Sequence, residues 1–152
     1  MIKRFYLTAL LIIIPVISLA EPSDMIDAQQ LANRSFNEGK VLVFYIKSIG
    51  CPYCLKLEKD VIEPITINQG YQSKIILQHL TMGSSQEIRD FNGKNTSMRN
   101  FIKTLSIRAA PTLIFVDASG HEVAKRLEGY QEDAFYWHYL DRSIDQALSQ
   151  IN

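Results

Sequence analysis

The most informative part of the chain is the stretch VLVFYIKSIGCPYC, which runs from Val41 to Cys54. Its first six residues, Val41–Ile46, are all apolar, and their β-branched and aromatic side chains are typical of a central strand covered on both faces. The turn residues Ser48-Ile49-Gly50 follow, and a helix is expected to open at Cys51-Pro52-Tyr53-Cys54. The pattern therefore places a Cys-x-x-Cys pair at the junction between a buried strand and a helix.

The two cysteines of this pair are expected to have different roles. At a helix N-terminus, Cys51 lies near unsatisfied backbone N–H groups and the positive end of the helix macrodipole, and both favour the thiolate. Its pKa is expected to fall from about 8.5 to roughly 3.5–7.5. Cys54 follows one turn later on the same face, within disulfide distance, and Pro52 suits a first helical turn because it has no N–H. We predict that Cys51 attacks and that the sheltered Cys54 resolves the mixed disulfide.

The cysteine pair has three other interpretations. A purely structural disulfide is possible, although closing so short a loop contributes little stability. A zinc site normally needs four ligands, and the histidines at positions 79, 121 and 138 have no metal-ligand spacing. Covalent haem attachment needs a histidine directly after the second cysteine, where Leu55 stands instead. We therefore predict a redox pair that uses no metal and no cofactor.

The composition describes one ordinary globular domain. The chain has 152 residues, of which 47% are apolar and 21% are charged, which favours a compact core over disorder. Its 16 basic residues are balanced by 16 acidic residues. No nucleic-acid partner is predicted, because phosphate binding needs clustered Lys and Arg.

Residues 1–20 have the three-part pattern of a secretory signal peptide. Lys3 and Arg4 form a basic start, the segment 5–20 is almost wholly apolar, and Ser18-Leu19-Ala20 offers small residues to a signal peptidase. An uncleaved membrane anchor is the alternative, but the apolar run of about 16 residues is shorter than the roughly 20 that a spanning helix needs. We expect cleavage after Ala20, a mature domain of residues 21–152 in the periplasm, and no membrane insertion after cleavage.

The mature chain is predicted to follow the order α-β-α-β-α-β-β-α. Alternating strands and helices imply a partly parallel sheet, and a closing hairpin adds an antiparallel edge, so we expect one mixed sheet with helices on both faces. Polar residues 81–96 are interpreted as an inserted loop or hairpin, and Pro64 is expected to stop or kink the helix that begins at the cysteines. The other predicted elements are helices over 24–36, 97–105 and 132–149 and strands over 73–80, 112–116 and 121–127. Thr96 is expected to cap the second of these helices, and apolar spacing predicts that Phe36, Phe135 and Tyr139 face the core.

The sequence resembles the thioredoxin superfamily over nearly the whole mature chain. The resemblance rests on the strand Val41–Ile46, the Cys-Pro-Tyr-Cys motif, the segment Ala110-Pro111-Thr112 before a strand, and Gly129. It resembles secreted SoxW-type thioredoxins, which also carry a Phe-x-Gly-Lys loop, here residues 91–94. The resemblance implies a three-layer α/β sandwich around a central, mixed four-stranded sheet.

The resemblance also implies where clients bind. Pro111 is expected to be a cis-proline that faces the cysteines, and the Ala110 backbone is expected to pair with an extended client segment. Tyr53, which should point outward from the first helical turn, and Pro52 are expected to contact the client. Tyr45 stands where thioredoxins carry a buried Asp that helps to move a proton at the resolving cysteine. Tyr45 itself, Glu58 or water could replace that Asp.

The functional prediction is a periplasmic thiol–disulfide oxidoreductase whose substrates are protein thiols and disulfides. By resemblance, we expect a monomeric reductase that receives electrons from a membrane donor of the DsbD kind. The alternatives are a disulfide oxidase or isomerase, a reductase specialised for haem-attachment cysteines, and a binding module whose disulfide is redox-silent.

Overall fold

The computed structural model describes residues 25–131 and 135–151. Its strands are β1 Ile26–Asp27, β2 Val41–Ser48, β3 Ile75–Met82, β4 Glu87–Arg89, β5 Asn95–Ser97, β6 Thr112–Val116 and β7 Leu127–Glu128. Its α-helices are α1 Ala28–Glu38, α2 Pro52–Leu57, α3 Glu63–Ile67, α4 Gln69–Gln72, α5 Met98–Thr104 and α6 Tyr136–Ile151.

The main sheet has four strands in the order β3-β2-β6-β7. β2 pairs with β3 in parallel, whereas β6 pairs antiparallel with both β2 and β7. Helices cover both faces, so the predicted three-layer sandwich with a mixed four-stranded sheet is confirmed. β2 lies in the interior of this sheet, which explains why its first six residues are all apolar.

Two hydrophobic clusters fill the two sides of the sheet. Side chains alternate along β2, so Val43 and Tyr45 enter the cluster under the cysteine helix and α6, while Leu42 and Phe44 enter the cluster under α1 and α5. All four are fully buried. The strand that precedes the cysteines is therefore held by packing on both faces.

The segment 81–96 forms a hairpin, one of the two forms predicted for it. β4 and β5 pair antiparallel, and β4 also pairs in parallel with β1 to make a small second sheet. Its predicted start at residue 81 is wrong, because β3 continues to Met82. Ser97, rather than the predicted Thr96, caps the next helix by accepting a hydrogen bond from the Asn100 N–H.

Pro64 does not stop the cysteine helix, which was one of the two outcomes predicted for it. A π-helical turn over Glu58–Ile62 joins α2 to α3, and Pro64 lies in the first turn of α3. Proline is tolerated there because a first-turn N–H needs no partner within its own helix. The wider turn lets the helical run continue to Ile67.

Other elements differ from their predicted limits. The predicted strand 121–127 is reduced to a single bridge between Val116 and Glu122, followed by the two-residue β7. Helix α1 begins after Asp27, whose side chain accepts a hydrogen bond from the Gln30 N–H. Phe36 is predicted to face the core but is 74% exposed. Phe135 and Tyr139 are also exposed, to a lesser degree. Amphipathic spacing locates a helix better than it locates the edges of its buried face.

Two predictions fall on residues that the structure does not describe. They are the signal peptide over residues 1–20 and the start of the last helix at Glu132. Within the described ranges, no helix is both long enough and apolar enough to cross a membrane.

Candidate active site

The cysteine pair lies at the strand-to-helix junction that the sequence predicts. Cys51 is the N-cap of α2, Pro52 occupies the first turn, and the two cysteines form a disulfide with a Cα–Cα distance of 5.2 Å. The Cys51 Sγ accepts a hydrogen bond of 3.1 Å from the backbone N–H of Cys54. The same N–H can donate to a Cys51 thiolate once the disulfide is reduced.

The two sulfur-bearing residues differ in exposure. Cys51 is partly exposed, whereas Cys54 is only 2% exposed. Tyr53 and Leu55 are 60% and 67% exposed. An incoming reactant can therefore reach Cys51 and the Tyr53 side chain, while Cys54 faces the core.

The loop before β6 lies against the exposed cysteine. The Ala110–Pro111 peptide bond is cis, as the resemblance implied, and the Ala110 carbonyl oxygen lies 3.9 Å from the Cys51 Sγ. The backbone N–H of Gly129 donates a 2.8 Å hydrogen bond to the Pro111 carbonyl. The structure thus brings together three distant parts of the sequence, namely Cys51, the Ala110–Pro111 pair and the turn at Gly129.

A cavity opens beside this loop. It has a volume of about 740 Å³ and is lined on the active-site side by Tyr53, Ala110 and Pro111. Tyr130 and Tyr136 form part of its wall and contact each other edge to face, with ring centroids 5.0 Å apart. The Tyr130 hydroxyl donates a 3.0 Å hydrogen bond to Asp60 in the π-helical turn.

Tyr45 lies directly under the buried cysteine. Its hydroxyl donates a 3.1 Å hydrogen bond to the Cys54 carbonyl oxygen. Burial raises the pKa of Tyr45 well above its usual value, and the negative charge of Glu58 adds to the effect. Tyr45 is therefore a neutral hydrogen-bond donor here and carries no charge at ordinary pH.

Two side chains near Tyr45 were missed as site residues in the sequence. His79 is the β3 residue paired with Tyr45, and its ring packs edge to face on Tyr45 with centroids 5.2 Å apart. Its pKa is lowered, chiefly by burial and then by the positive charge of Lys47. Lys47, two residues beyond Tyr45, forms a 2.6 Å ion pair with Glu58. The register of β2 and β3 pairs Tyr45 with His79 and would have indicated this histidine. The sequence of neither strand reveals that register.

No group of three or more metal-ligating side chains occurs within residues 25–131 and 135–151. The histidines considered for a metal site in the sequence are separated by the fold. His79 lies in β3 under the active site, while His121 and His138 are exposed, in the turn after β6 and in α6.

The family of the chain follows from its sequence. A family model described as a thioredoxin-like domain matches residues 27–144. The chain belongs to the thioredoxin superfamily. No curated protein matches it in sequence.

Solved structures share the fold of this thioredoxin-like protein at low sequence identity. A thioredoxin from Thermus thermophilus is 17% identical with a TM-score of 0.54, covering 78% of this chain and 84% of its own. A structure described as DsbH oxidoreductase is 13% identical with a TM-score of 0.54, covering 80% and 83%. A thioredoxin-fold protein from Helicobacter pylori is 16% identical with a TM-score of 0.53, covering 74% and 82%.

The family and the site together define the chemistry. A disulfide-bonded Cys-x-x-Cys pair at the start of a helix, within a thioredoxin-like domain, makes this thioredoxin-like protein a thiol–disulfide oxidoreductase.

Proposed function

We propose that this protein is a periplasmic reductase of protein disulfides, with Cys51 as the attacking and Cys54 as the resolving cysteine. The observation that carries the proposal is the asymmetry of the pair. Cys51 is partly exposed and accepts the Cys54 N–H at 3.1 Å, whereas Cys54 is 2% exposed and faces the core. A thiolate forms more readily at the first position, and an outside disulfide can reach only that position.

The reaction has two exchange steps. The Cys51 thiolate attacks one sulfur of a client disulfide, forming a mixed disulfide and releasing the other client sulfur as a thiolate that takes a proton from water. Cys54 then loses its proton to solvent and attacks the Cys51 sulfur, and the second client sulfur leaves. The client gains two electrons, and the protein ends with the Cys51–Cys54 disulfide.

The loop before β6 is suited to hold the client during these steps. The Ala110 carbonyl lies 3.9 Å from the Cys51 sulfur, so a client strand that pairs with the Ala110 backbone would present its disulfide to Cys51. Pro52 and the 60% exposed Tyr53 supply apolar contact around that point, and Pro111, which is buried, lines the adjoining cavity. Main-chain pairing reads no side chains, which suits a reductase with many protein clients.

The periplasmic location and the reducing direction rest on the sequence. Residues 1–20 carry the signal-peptide pattern, and a DsbD-like membrane protein would supply electrons. Cys54 and Pro111 are 57 positions apart (111 − 54), and after the cysteine helix this interval contains only the π-helical turn, α3, α4, β3, β4, β5 and α5. These elements leave no room for the helical insertion of DsbA-type oxidases, which favours the reductase over the oxidase.

The Cys-Pro-Tyr-Cys motif, which glutaredoxins share, predicts the redox potential of the cysteine pair. Titration of the cysteine pair against reduced and oxidised glutathione is expected to give roughly −200 mV, in the region of glutaredoxins. The fraction of protein that reacts with a thiol-alkylating reagent at each glutathione ratio gives the value. A potential near −120 mV, the region of strong oxidants, would contradict the reductase and favour the oxidase.

Cys54→Ser is expected to trap clients as mixed disulfides. The first exchange at Cys51 still occurs, but a serine hydroxyl cannot carry out the resolving attack. Non-reducing electrophoresis of extracts from cells that express the variant should show adducts that disappear on reduction. The double variant Cys51→Ser/Cys54→Ser is the control and should trap none. An absence of adducts with the single variant would favour the redox-silent binding module.

A further inference from the structure

An ion pair lies beside the buried Tyr45, whose hydroxyl reaches the carbonyl of the resolving cysteine. Lys47 at the end of β2 and Glu58 at the start of the π-helical turn lie with their Nζ and Oε1 atoms 2.6 Å apart. Their side chains are 32% and 22% exposed, so the pair is partly withdrawn from solvent. Its function is inferred on the basis of the proposed role of Cys54 as the resolving cysteine.

Both members of the pair are positioned toward Cys54. Glu58 follows Cys54 by four residues, and its backbone N–H donates to the Cys54 carbonyl, so the two side chains lie on the same side of the helical run. Lys47 follows Tyr45 by two residues and therefore shares its face of β2. The Tyr45 hydroxyl reaches the same Cys54 carbonyl at 3.1 Å. The space between β2 and α2 thus contains Cys54, Tyr45 and the ion pair.

The other titratable groups packed around this space are either neutral or hydrogen-bonded to another residue. Burial raises the pKa of Tyr45 and of Tyr136, from α6, so both hydroxyls stay protonated and neutral. Burial lowers the pKa of His79, from β3, and so favours its neutral form. Asp60, on the next helical turn, accepts the Tyr130 hydroxyl. Lys56 and Lys59, on the same helical run, are exposed, so Lys47 and Glu58 are the opposite charges of this region that lie beside Tyr45.

We propose that the Lys47–Glu58 ion pair controls how readily the Cys54 thiol gives up its proton, and thereby sets the rate of the resolving step. The electrostatic effects of two opposite charges 2.6 Å apart largely cancel at a third group. If Glu58 is neutralised, the remaining ammonium stabilises a Cys54 thiolate; if Lys47 is neutralised, the remaining carboxylate opposes it. Because the pair is partly buried, solvent and salt screen these effects less than at an exposed site. Lys47 and Glu58 are positioning residues that act through Cys54.

The first test measures the proton affinity of Cys54 directly. In a Cys51→Ala background, the ultraviolet absorbance of the Cys54 thiolate is followed against pH. Glu58→Gln is expected to lower the midpoint by about one pKa unit, and Lys47→Met to raise it by about the same amount. The double variant should return close to the parent. Lys74→Met breaks an exposed 3.0 Å pair with Asp145 in α6 and should leave the midpoint unchanged.

The second test measures the resolving step in the reduced protein with both cysteines present. The probe is an aromatic disulfide that releases a coloured thiolate. Cys51 displaces the first thiolate, and Cys54 then attacks the Cys51 sulfur and displaces the second; the probe gains two electrons and the protein becomes oxidised. Below the pKa of Cys54, one unit of pKa changes the thiolate fraction tenfold and the nucleophilicity about threefold in the opposite sense. The second release should therefore be about threefold faster in Glu58→Gln and about threefold slower in Lys47→Met.

The opposite signs separate control by charge from structural damage. Local disorder would shift the Cys54 midpoint in the same direction in both single variants. The double variant would then not restore the parent midpoint. Lys47→Arg keeps the charge and should behave as the parent; a shift as large as that of Lys47→Met would overturn the proposal. Midpoints that agree in all variants would also overturn it. Failure of the reduced protein to react with the probe at all would instead contradict the proposed function.

Discussion

Cys51→Ser is expected to reduce disulfide-exchange activity by on the order of 10³-fold or more. The hydroxyl of serine is not ionised near neutral pH and cannot form the mixed disulfide with which the reaction begins. Cys54 cannot substitute, because it is only 2% exposed and faces the core from within α2. The measurement is the rate at which the protein, kept reduced by dithiothreitol, cleaves the disulfides of insulin.

Two controls accompany this measurement. Ile67→Ser changes a side chain that is 82% exposed at the end of α3, and it should keep the parent activity. Thermal unfolding of Cys51→Ser should match that of the reduced parent, since both lack the disulfide. Retention of a substantial part of the activity in Cys51→Ser would show that Cys51 is not the attacking sulfur.

Phe44→Ala is expected to lower the free energy of unfolding by about 3–5 kcal/mol. Phe44 is fully buried in the central strand and packs edge to face on Phe91 and Phe101, with ring centroids 6.1 and 5.8 Å away. Removing its ring leaves a cavity in the cluster under α1 and α5. The loss is measured as the shift in denaturant unfolding at constant slope.

Phe36→Ala is the matched control, because it removes the same side chain from α1. Phe36 is 74% exposed, so the free energy of unfolding should change by no more than about 0.5 kcal/mol. The contrast also tests the exposure of Phe36, because amphipathic spacing alone predicts that this side chain is buried. Similar losses in both variants would contradict the described packing.

Some elements could be predicted because their signals are local. The run Val41–Ile46 has no polar residue to face water, so only a strand covered on both sides accommodates it. Gly39 ends α1 in the left-handed conformation, with φ of 61°, that glycine adopts most readily. The predicted strand 121–127 did not form at its full length, because strand pairing depends on a partner as well as on propensity.

The sequence alone determined the reactive pair and its asymmetry. A spacing of three positions at a helix start places the two cysteines on one face of the helix. The adjacent backbone N–H groups favour the thiolate of Cys51. Only the tertiary structure decided which groups surround the pair. The approach of Ala110 to Cys51, the pairing of Tyr45 with His79, and the Lys47–Glu58 ion pair join residues from different elements. Their proximity depends on strand register and helix packing, which are settled by burial of the whole core rather than by neighbours along the chain.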